Sequence, residues 1–304
     1  RCVICGVMEH IEEAGIHSGD SACVLPPSTL ERAVVRRIED QTRRIARELG
    51  VVGLMNVQFA VKNGVVYVLE VNPRASRTIP FVSKATGVSF ARLATEVMLG
   101  KTLDELRLTR KKTVRHVAVK ESVFPFTRFP GITISLGPEM KSTGEVMGID
   151  DTFEMAFAKS QAASGSPLPT SGNVFISVHD AYKDKIVDVA RSFKDLGFTI
   201  FATAGTASCL SEHGIEVATV MKVSEGRPNV ADEIMNGRIH LLINVSLGRR
   251  PTMDAALIRR YALRSGVPYT TTVAAARAMA AAIGELKKRT FRVKSIQEYH
   301  GMEA

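Results

Sequence analysis

Hydrophobic and polar positions follow two rhythms along the 304 residues. In the first half, short apolar runs and longer amphipathic stretches succeed one another without a fixed order. Residues 2–8 read as a strand, followed by a dense polar loop at 9–21. Ser28-Thr29-Leu30-Glu31 has capping-box spacing, with Ser28 placed to cap and Glu31 to reach back, and predicts a helix that runs to Leu49 and stops at Gly50. Two β-rich runs, 51–61 and 65–71, flank Asn63-Gly64, the dipeptide that most readily supplies the positive φ angles of a tight turn. Behind this hairpin, 80–87 and 89–99 read as helices, 108–112 as a charged connector and 113–120 as a strand closed by Glu121. An aromatic turn segment at 124–131 and a helix at 151–163 complete the first half.

Residues 164–172, rich in Ser, Gly and Pro, read as a linker. Beyond it the alternation becomes regular, with strands at 173–178, 199–202, 216–220, 240–245 and 268–271. Amphipathic helices at 182–196, 206–213, 229–236, 253–265 and 273–288 fall between and after them. This order predicts a parallel sheet covered on both faces, a fold that binds ligands at the carboxyl ends of its strands. Those ends carry Ser177, His179, Lys183, Thr203, Thr206, Lys222, Asn244 and Ser246. Gly205-Thr206 opens a helix, whose free N–H groups favour phosphate. Any one of these hydroxyls taken alone reads as a helix cap, but Lys183, Thr206 and Lys222 together point to a phosphate pocket.

The hairpin carries the densest chemistry. Its second strand ends in Glu70-Val71-Asn72-Pro73-Arg74, and period-two alternation puts Glu70 and Asn72 on one face. Asn56 and Gln58 share a face of the first strand. Carboxylate and amide oxygens suit a hard cation such as Mg²⁺, and the guanidiniums of Arg74 and Arg77 suit phosphate oxygens. A strict two-residue loop at Asn63-Gly64 would pair Val61 with Val66 and put Gln58 on the face opposite Glu70, whereas a three-residue loop or a bulge restores a common face. Joint ligation therefore predicts an odd-length loop. An ordinary solvated hairpin is the plainer alternative, and the concentration of these groups on a buried-looking strand favours the site.

Composition narrows the picture. Hydrophobic residues make up 45% of the chain, enough to fill globular cores, and no apolar run is long enough to cross a bilayer. The start, Arg1-Cys2-Val3-Ile4-Cys5, lacks both an initiator Met and a signal-peptide layout, which suggests a cytoplasmic chain cut from a longer one. Cys2, Cys5, Cys23 and Cys209 form no paired metal pattern and read as reduced thiols. The formal charge of +9 attracts anions. Its cations are dispersed, Trp is absent and no nucleic-acid module motif appears. Arg36, Arg37, Arg43, Arg44 and Arg47 alternate with apolar residues as the solvated face of an amphipathic helix.

The runs from Gly53 to Phe59 and from Glu70 to Phe81 closely resemble the second ATP-grasp domain of the carbamoyl-phosphate synthase large subunit, and the likeness extends nearly end to end. It implies an α/β chain in which the C-terminal part of an ATP-grasp α+β domain (1–163) is joined through 164–172 to a Rossmann-like, doubly wound methylglyoxal-synthase-like domain (173–304). In that family Gly15, Ile16, His17 and Ser18 match ATP-contacting positions, as do Gln58 and Glu70. Gln58, Glu70 and Asn72 would hold Mg²⁺ or Mn²⁺, with K⁺ a further cation, and Arg74 and Arg77 would neutralise the transferred phosphoryl group. Glu12, Asp20 and Glu121 match an ornithine pocket, which Tyr269 and Thr271 touch from the second domain. Ser177, Lys183, Thr203, Thr206, Lys222, Asn244 and Ser246 match an effector pocket for UMP or IMP, with Ser246 where Thr is common.

The resemblance also implies a glutaminase small-subunit partner, an oligomeric full enzyme, and no nucleic-acid or membrane partner. The Gly-rich phosphate loop of an ATP-grasp site is not found in residues 1–304, nor is Gly-x4-Gly-Lys, so the isolated chain is expected to lack synthetase activity. A stand-alone nucleotide-monophosphate-binding module is one rival reading. A methylglyoxal-synthase-like lyase is another, but Glu225-Gly226-Arg227-Pro228-Asn229 replaces the Gly-Gly-Asp segment such chemistry uses. A nucleic-acid binder, testable by a salt-dependent gel shift, is more distant.

Overall fold

The computed structural model describes residues 1–126, 136–247 and 253–301, so most of the aromatic segment expected at 124–131 lies outside the described residues. Within the described part of that segment, Phe124 and Phe126 stack with ring centroids 4.9 Å apart. The first half contains β1 (Glu9–His10), β2 (Cys23–Leu25), α1 (Arg32–Glu48), β3 (Asn56–Lys62), β4 (Val65–Asn72), α2 (Thr78–Thr86), α3 (Phe90–Met98), β5 (Val117–Val123), β6 (Gly144–Asp150) and α4 (Phe153–Ala163). Strands β1, β2, β5 and β6 form an antiparallel sheet in that order, while β3 and β4 form a separate two-stranded sheet. Leu25, Ala118 and Ile149 of the larger sheet pack against Ile79, Phe81, Val82 and Phe90 of α2 and α3. Phe59 and Val66 of the hairpin meet Val34 and Ile38 of α1, together with Ile4 and Val7.

The second half contains β7 (Asn173–Val178), α5 (Lys183–Asp195), β8 (Thr199–Ala202), α6 (Ala204–Glu212), β9 (Ala218–Thr219), α7 (Val230–Met235), β10 (Leu241–Val245), α8 (Met253–Arg264), β11 (Tyr269–Thr270), α9 (Val273–Leu286) and α10 (Ile296–Tyr299). Its five strands are parallel in the order β11-β10-β7-β8-β9. Chain direction along the sheet reverses between β7 and β10, creating the switch point at which doubly wound sheets hold ligands. Alternate residues serve opposite faces. Val174, Ile176, Leu241 and Ile243 pack with α5 and α9, whereas Phe175, Leu242 and Tyr269 pack with α7 and α8.

The two halves share a core. Met155, Ala156 and Phe157 of α4 belong to the same buried cluster as Val119 of β5 and Ala276, Met279 and Ile283 of α9. Gly148 allows β6 to lie directly against α4, because a Cβ there would fall 2.0 Å from the Ala156 carbonyl oxygen. Residues 164–172 are irregular, yet Leu168 is buried in this common core. The C-terminal segment returns to the first half, with Tyr299 donating to Ile149 O at 3.0 Å and the His300 ring 2.8 Å from Lys84 O.

Several sequence expectations are corrected. Residues 2–8 form no strand, having no ladder partner among the described residues. The Ser28/Glu31 capping box does not form. Helix α1 begins at Arg32 with Glu31 as an N-cap lacking a side-chain bond, because the Glu9 carboxylate takes Ser28 N, Thr29 N and the Thr29 hydroxyl. Glu121 lies inside β5, which runs on to Val123. β2, β6 and α10 have no counterpart in the expected elements; the first and last are too short to show a period.

Candidate functional site

The hairpin turn is the strict two-residue kind, with Asn63 at φ 51° and Gly64 at φ 74°, so the odd-length loop is wrong. Val61 pairs with Val66, as such a turn dictates. The ladder then slips at Gln58/Phe59, where Val68 opposes Phe59 and Glu70 opposes Gln58, leaving Leu69 extra. This bulge restores the common face that loop length does not provide. Gln58 and Glu70 stand opposite one another, and Asn56 opposite Asn72. They lie on the face away from α1, since Phe59 and Val66 face the helix. Nor is β4 buried, as expected from its apolar sequence: Tyr67 and Leu69 are 51% and 52% exposed.

A cleft of about 950 Å³ is lined by Gln58, Glu70, Asn72, Arg74 and Arg77 together with Ile16, His17 and Ser18 from the polar loop. Gly15, at φ 113°, turns the chain into that loop. Neither Arg74 nor Arg77 forms an ion pair among the described residues: Arg74 donates to Ala75 O at 2.9 Å, and Arg77 reaches Met140 Sδ at 2.8 Å. Among the described residues no group of three or more His, Cys, Asp or Glu is placed to hold a metal ion. One carboxylate beside amides is a donor set for a hard cation that keeps waters and draws its remaining charge from a ligand's phosphates.

Farther along the same cleft lies Glu12, and behind it Glu121, with which it forms a buried acidic pair. Glu12 accepts from Ala22 N at 2.7 Å, and Glu121 accepts from Gln161 Nε2 of α4 at 2.5 Å. Burial, then the charge of Glu121, pushes the Glu12 carboxyl up to about 8; burial pushes Glu121 up to about 7. Lys120, fully buried beside them, donates to Ser18 O at 3.3 Å. Asp20 is committed elsewhere, its two oxygens accepting from Lys141 N and Ser142 N at 2.9 Å. Tyr269 packs on the α8 face of the parallel sheet. Among the described residues no hydrogen bond or ion pair joins Tyr269 or Thr271 to Glu12, Asp20 or Glu121.

At the switch point the carboxyl-end residues do converge. Ser177 pairs in register with Asn244, and its hydroxyl lies 3.2 Å from that of Thr203. The Thr206 hydroxyl accepts from Val178 N at 3.2 Å. Lys183 Nζ stands over the first turn of α6, where a Cβ on Gly205 would lie 3.3 Å from it. Lys222 opens the next loop, its Nζ 3.6 Å from Glu225. Thr203, the N-cap of α6, makes no side-chain cap bond, which leaves the helix start open to an anion.

The model of the carbamoyl-phosphate synthase L chain, ATP binding domain matches residues 1–106, and that of the MGS-like domain matches residues 185–271. Carbamoyl phosphate synthase large chains are similar throughout: 55% identical over 99% of this chain in Myxococcus xanthus, 55% over 98% in Archaeoglobus fulgidus and 54% over 98% in a Nostoc species. Residues 1–106 thus carry an ATP binding domain of the carbamoyl-phosphate synthase L-chain type, and residues 185–271 an MGS-like domain. The chain spans 28% of the length of each of these relatives.

Within this family framework two residues emerge that the sequence reading passed over. Arg259 of α8 is only 2% exposed. Its Nε donates to Asn244 Oδ1, and its Nη2 to Asn244 O and Ser246 Oγ, each at 2.9 Å. Burial lowers its pKa to about 10 and raises that of neighbouring Tyr269 to about 12. The signal was available, since Ala255, Ile258 and Ala262 mark the buried stripe of α8 and Arg259 falls within it. Gln161 links Glu121 to α4, but polar residues in a short helix carry no sequence mark of such a role.

Proposed function

We propose that this chain is the part of a carbamoyl phosphate synthase large chain that joins the carbamate-phosphorylating half-site to its effector domain. The whole enzyme would make carbamoyl phosphate from bicarbonate, glutamine-derived ammonia and two ATP, serving arginine and pyrimidine biosynthesis in the cytoplasm. The observation that carries this reading is the bulge at Leu69, which presents Gln58 and Glu70 on one open face beside two guanidiniums that have no carboxylate partner among the described residues. Gln58, Glu70 and Asn72 would hold Mg²⁺ or Mn²⁺ against the ATP phosphates, and K⁺ would bind nearby. The metal supplies charge neutralisation for phosphoryl transfer. Ile16, His17 and Ser18 would border the nucleotide, and Arg74 and Arg77 would balance charge on the moving phosphoryl group.

Glu12 and Glu121 would take the amino groups of ornithine, with Asp20 holding the 136–142 loop in place beneath them. The switch-point residues would hold UMP or IMP. The glutaminase small subunit is the partner that would supply ammonia, within a larger oligomer. Among the described residues no helix is long and apolar enough to cross a membrane.

Calorimetric titration of UMP and IMP into the purified chain tests the regulatory half. Saturable binding is expected, weakened by about tenfold or more in Lys183→Ala through loss of a charge-assisted phosphate contact. Equal binding by the variant would remove Lys183 from the pocket. Dihydroxyacetone phosphate should not be turned over; its conversion would favour the lyase reading instead.

A further inference from the structure

The two lysines assigned to the anion pocket each face a carboxylate of this chain, and the two carboxylates are held differently. Glu225 is tied to the backbone, its Oε2 accepting from Lys222 N at 2.8 Å. Asp180 is not. Its Oδ1 lies 2.9 Å from Lys183 Nζ, its side chain is 85% exposed, and it makes no other side-chain hydrogen bond among the described residues. The hydrogen bond from Lys183 holds the Asp180 carboxyl below its ordinary range, and Lys222 and His179 act in the same direction. Asp180 is therefore ionised at neutral pH, placed where the fields of both lysines reach it.

Lys183 has one ammonium to offer, and it stands over the opening turn of α6 at Gly205. An anion seated on that turn would meet Lys183 only by sharing it with, or taking it from, Asp180. Two anions on one ammonium repel each other. An exposed aspartate gives up such a pair at small cost, because water replaces the lost partner. A buried or backbone-tied carboxylate, as Glu225 is, would not yield so readily.

We propose that Asp180 is an internal counter-ion that occupies Lys183 in the empty pocket, is displaced by the phosphate of an incoming nucleotide monophosphate, and thereby sets the affinity of the pocket. This rests on the nucleotide reading of the switch-point site and adds a residue that opposes binding to those that favour it. Removing the charge should strengthen binding, an outcome that partial unfolding does not produce.

The test is calorimetric titration of UMP into the 304-residue protein and its Asp180→Asn, Lys183→Ala and doubly substituted forms. Asp180→Asn is expected to bind about three- to tenfold more tightly. In the Lys183→Ala background the same change should have little effect, because the contested ammonium is gone. Unchanged or weaker binding by Asp180→Asn, with the wild type binding normally, would overturn the counter-ion assignment and leave the nucleotide pocket standing. A full gain retained without Lys183 would overturn it as well, by showing that Asp180 acts through general repulsion. Failure of both wild type and Asp180→Asn to bind UMP at millimolar concentration would overturn the pocket and the counter-ion together.

Discussion

At the hairpin, β3 and β4 pair only with each other, one face resting on α1 and the other open to the cleft. At the parallel sheet, β7 and β10 are central strands, paired on both sides and covered on both faces. Both regions place ligand-type residues near strand ends, yet one does so on a marginal two-stranded element and the other on a closed core. A two-stranded ribbon has little stability of its own, so the geometry of Gln58 and Glu70 depends on one bulge and one helix contact. The switch-point residues inherit the rigidity of a five-stranded sheet, reinforced by the buried Arg259 bonds to Asn244 and Ser246. The charged-ligand site proposed for the hairpin would tolerate the first arrangement, whereas the effector pocket proposed at the switch point would gain from the second.

Amide exchange tests this contrast most sharply. Amides of β7 and β10 are expected to exchange about a thousandfold or more slowly than those of β3 and β4, because central strands open only with global unfolding. Equal protection would mean that the hairpin draws support from contacts other than those described.

A smaller effect is expected from Gly148→Ala. The added Cβ would meet the backbone at Ala156 O and Ser160 N, 2.0 and 2.5 Å away, and separating β6 from α4 should cost about 3 kcal/mol. Because α4 shares a core with α9, both halves should lose stability in one urea transition. A variant in which only the first half melts early would show that the common core does not couple them.

The smallest effect concerns pH. Glu12 and Glu121 titrate at about 8 and about 7 in the folded chain, above the usual carboxylate value of 4.5. From that value upward the unfolded chain has released protons that the folded chain still holds, so stability falls as pH rises and levels off once both folded carboxyls have ionised. The charge of Lys120 pulls both carboxyls the other way and reduces this slope. The thermal midpoint should drop by a few degrees from pH 5 to pH 8, and Glu12→Gln should flatten the trend. An unchanged slope in that variant would place the titration elsewhere.

How much was legible varies with what held each element. The second half was readable almost strand by strand: β7 and β8 lie where the apolar runs place them, because a fully covered parallel strand must be apolar throughout. The capping box at Ser28 was a sound local signal that lost to Glu9, nineteen residues earlier, whose carboxylate takes the Ser28 N–H that Glu31 would have reached, and Thr29 N besides. The family resemblance alone put Asp20 in a ligand pocket, and only packing shows both its oxygens taken by backbone at Lys141 and Ser142. Arg259 sat in plain view on a helical stripe and was passed over because a charge at a core position is easily read as noise.

Residue types and their spacing were enough to set the change of rhythm between the halves, the parallel sheet of the second, the Asn63-Gly64 turn and the inventory of oxygen and guanidinium groups. These follow from local rules: hydrophobic period, glycine's access to positive φ, and the chemistry of each side chain. Tertiary structure decided which of these groups meet. The slip at Leu69, the Asp180–Lys183 pair, the Arg259 bonds and the core shared through α4 all join residues whose proximity depends on how separate elements pack. One extra residue in a strand reverses which face the following side chains occupy, and that reversal brings Glu70 opposite Gln58.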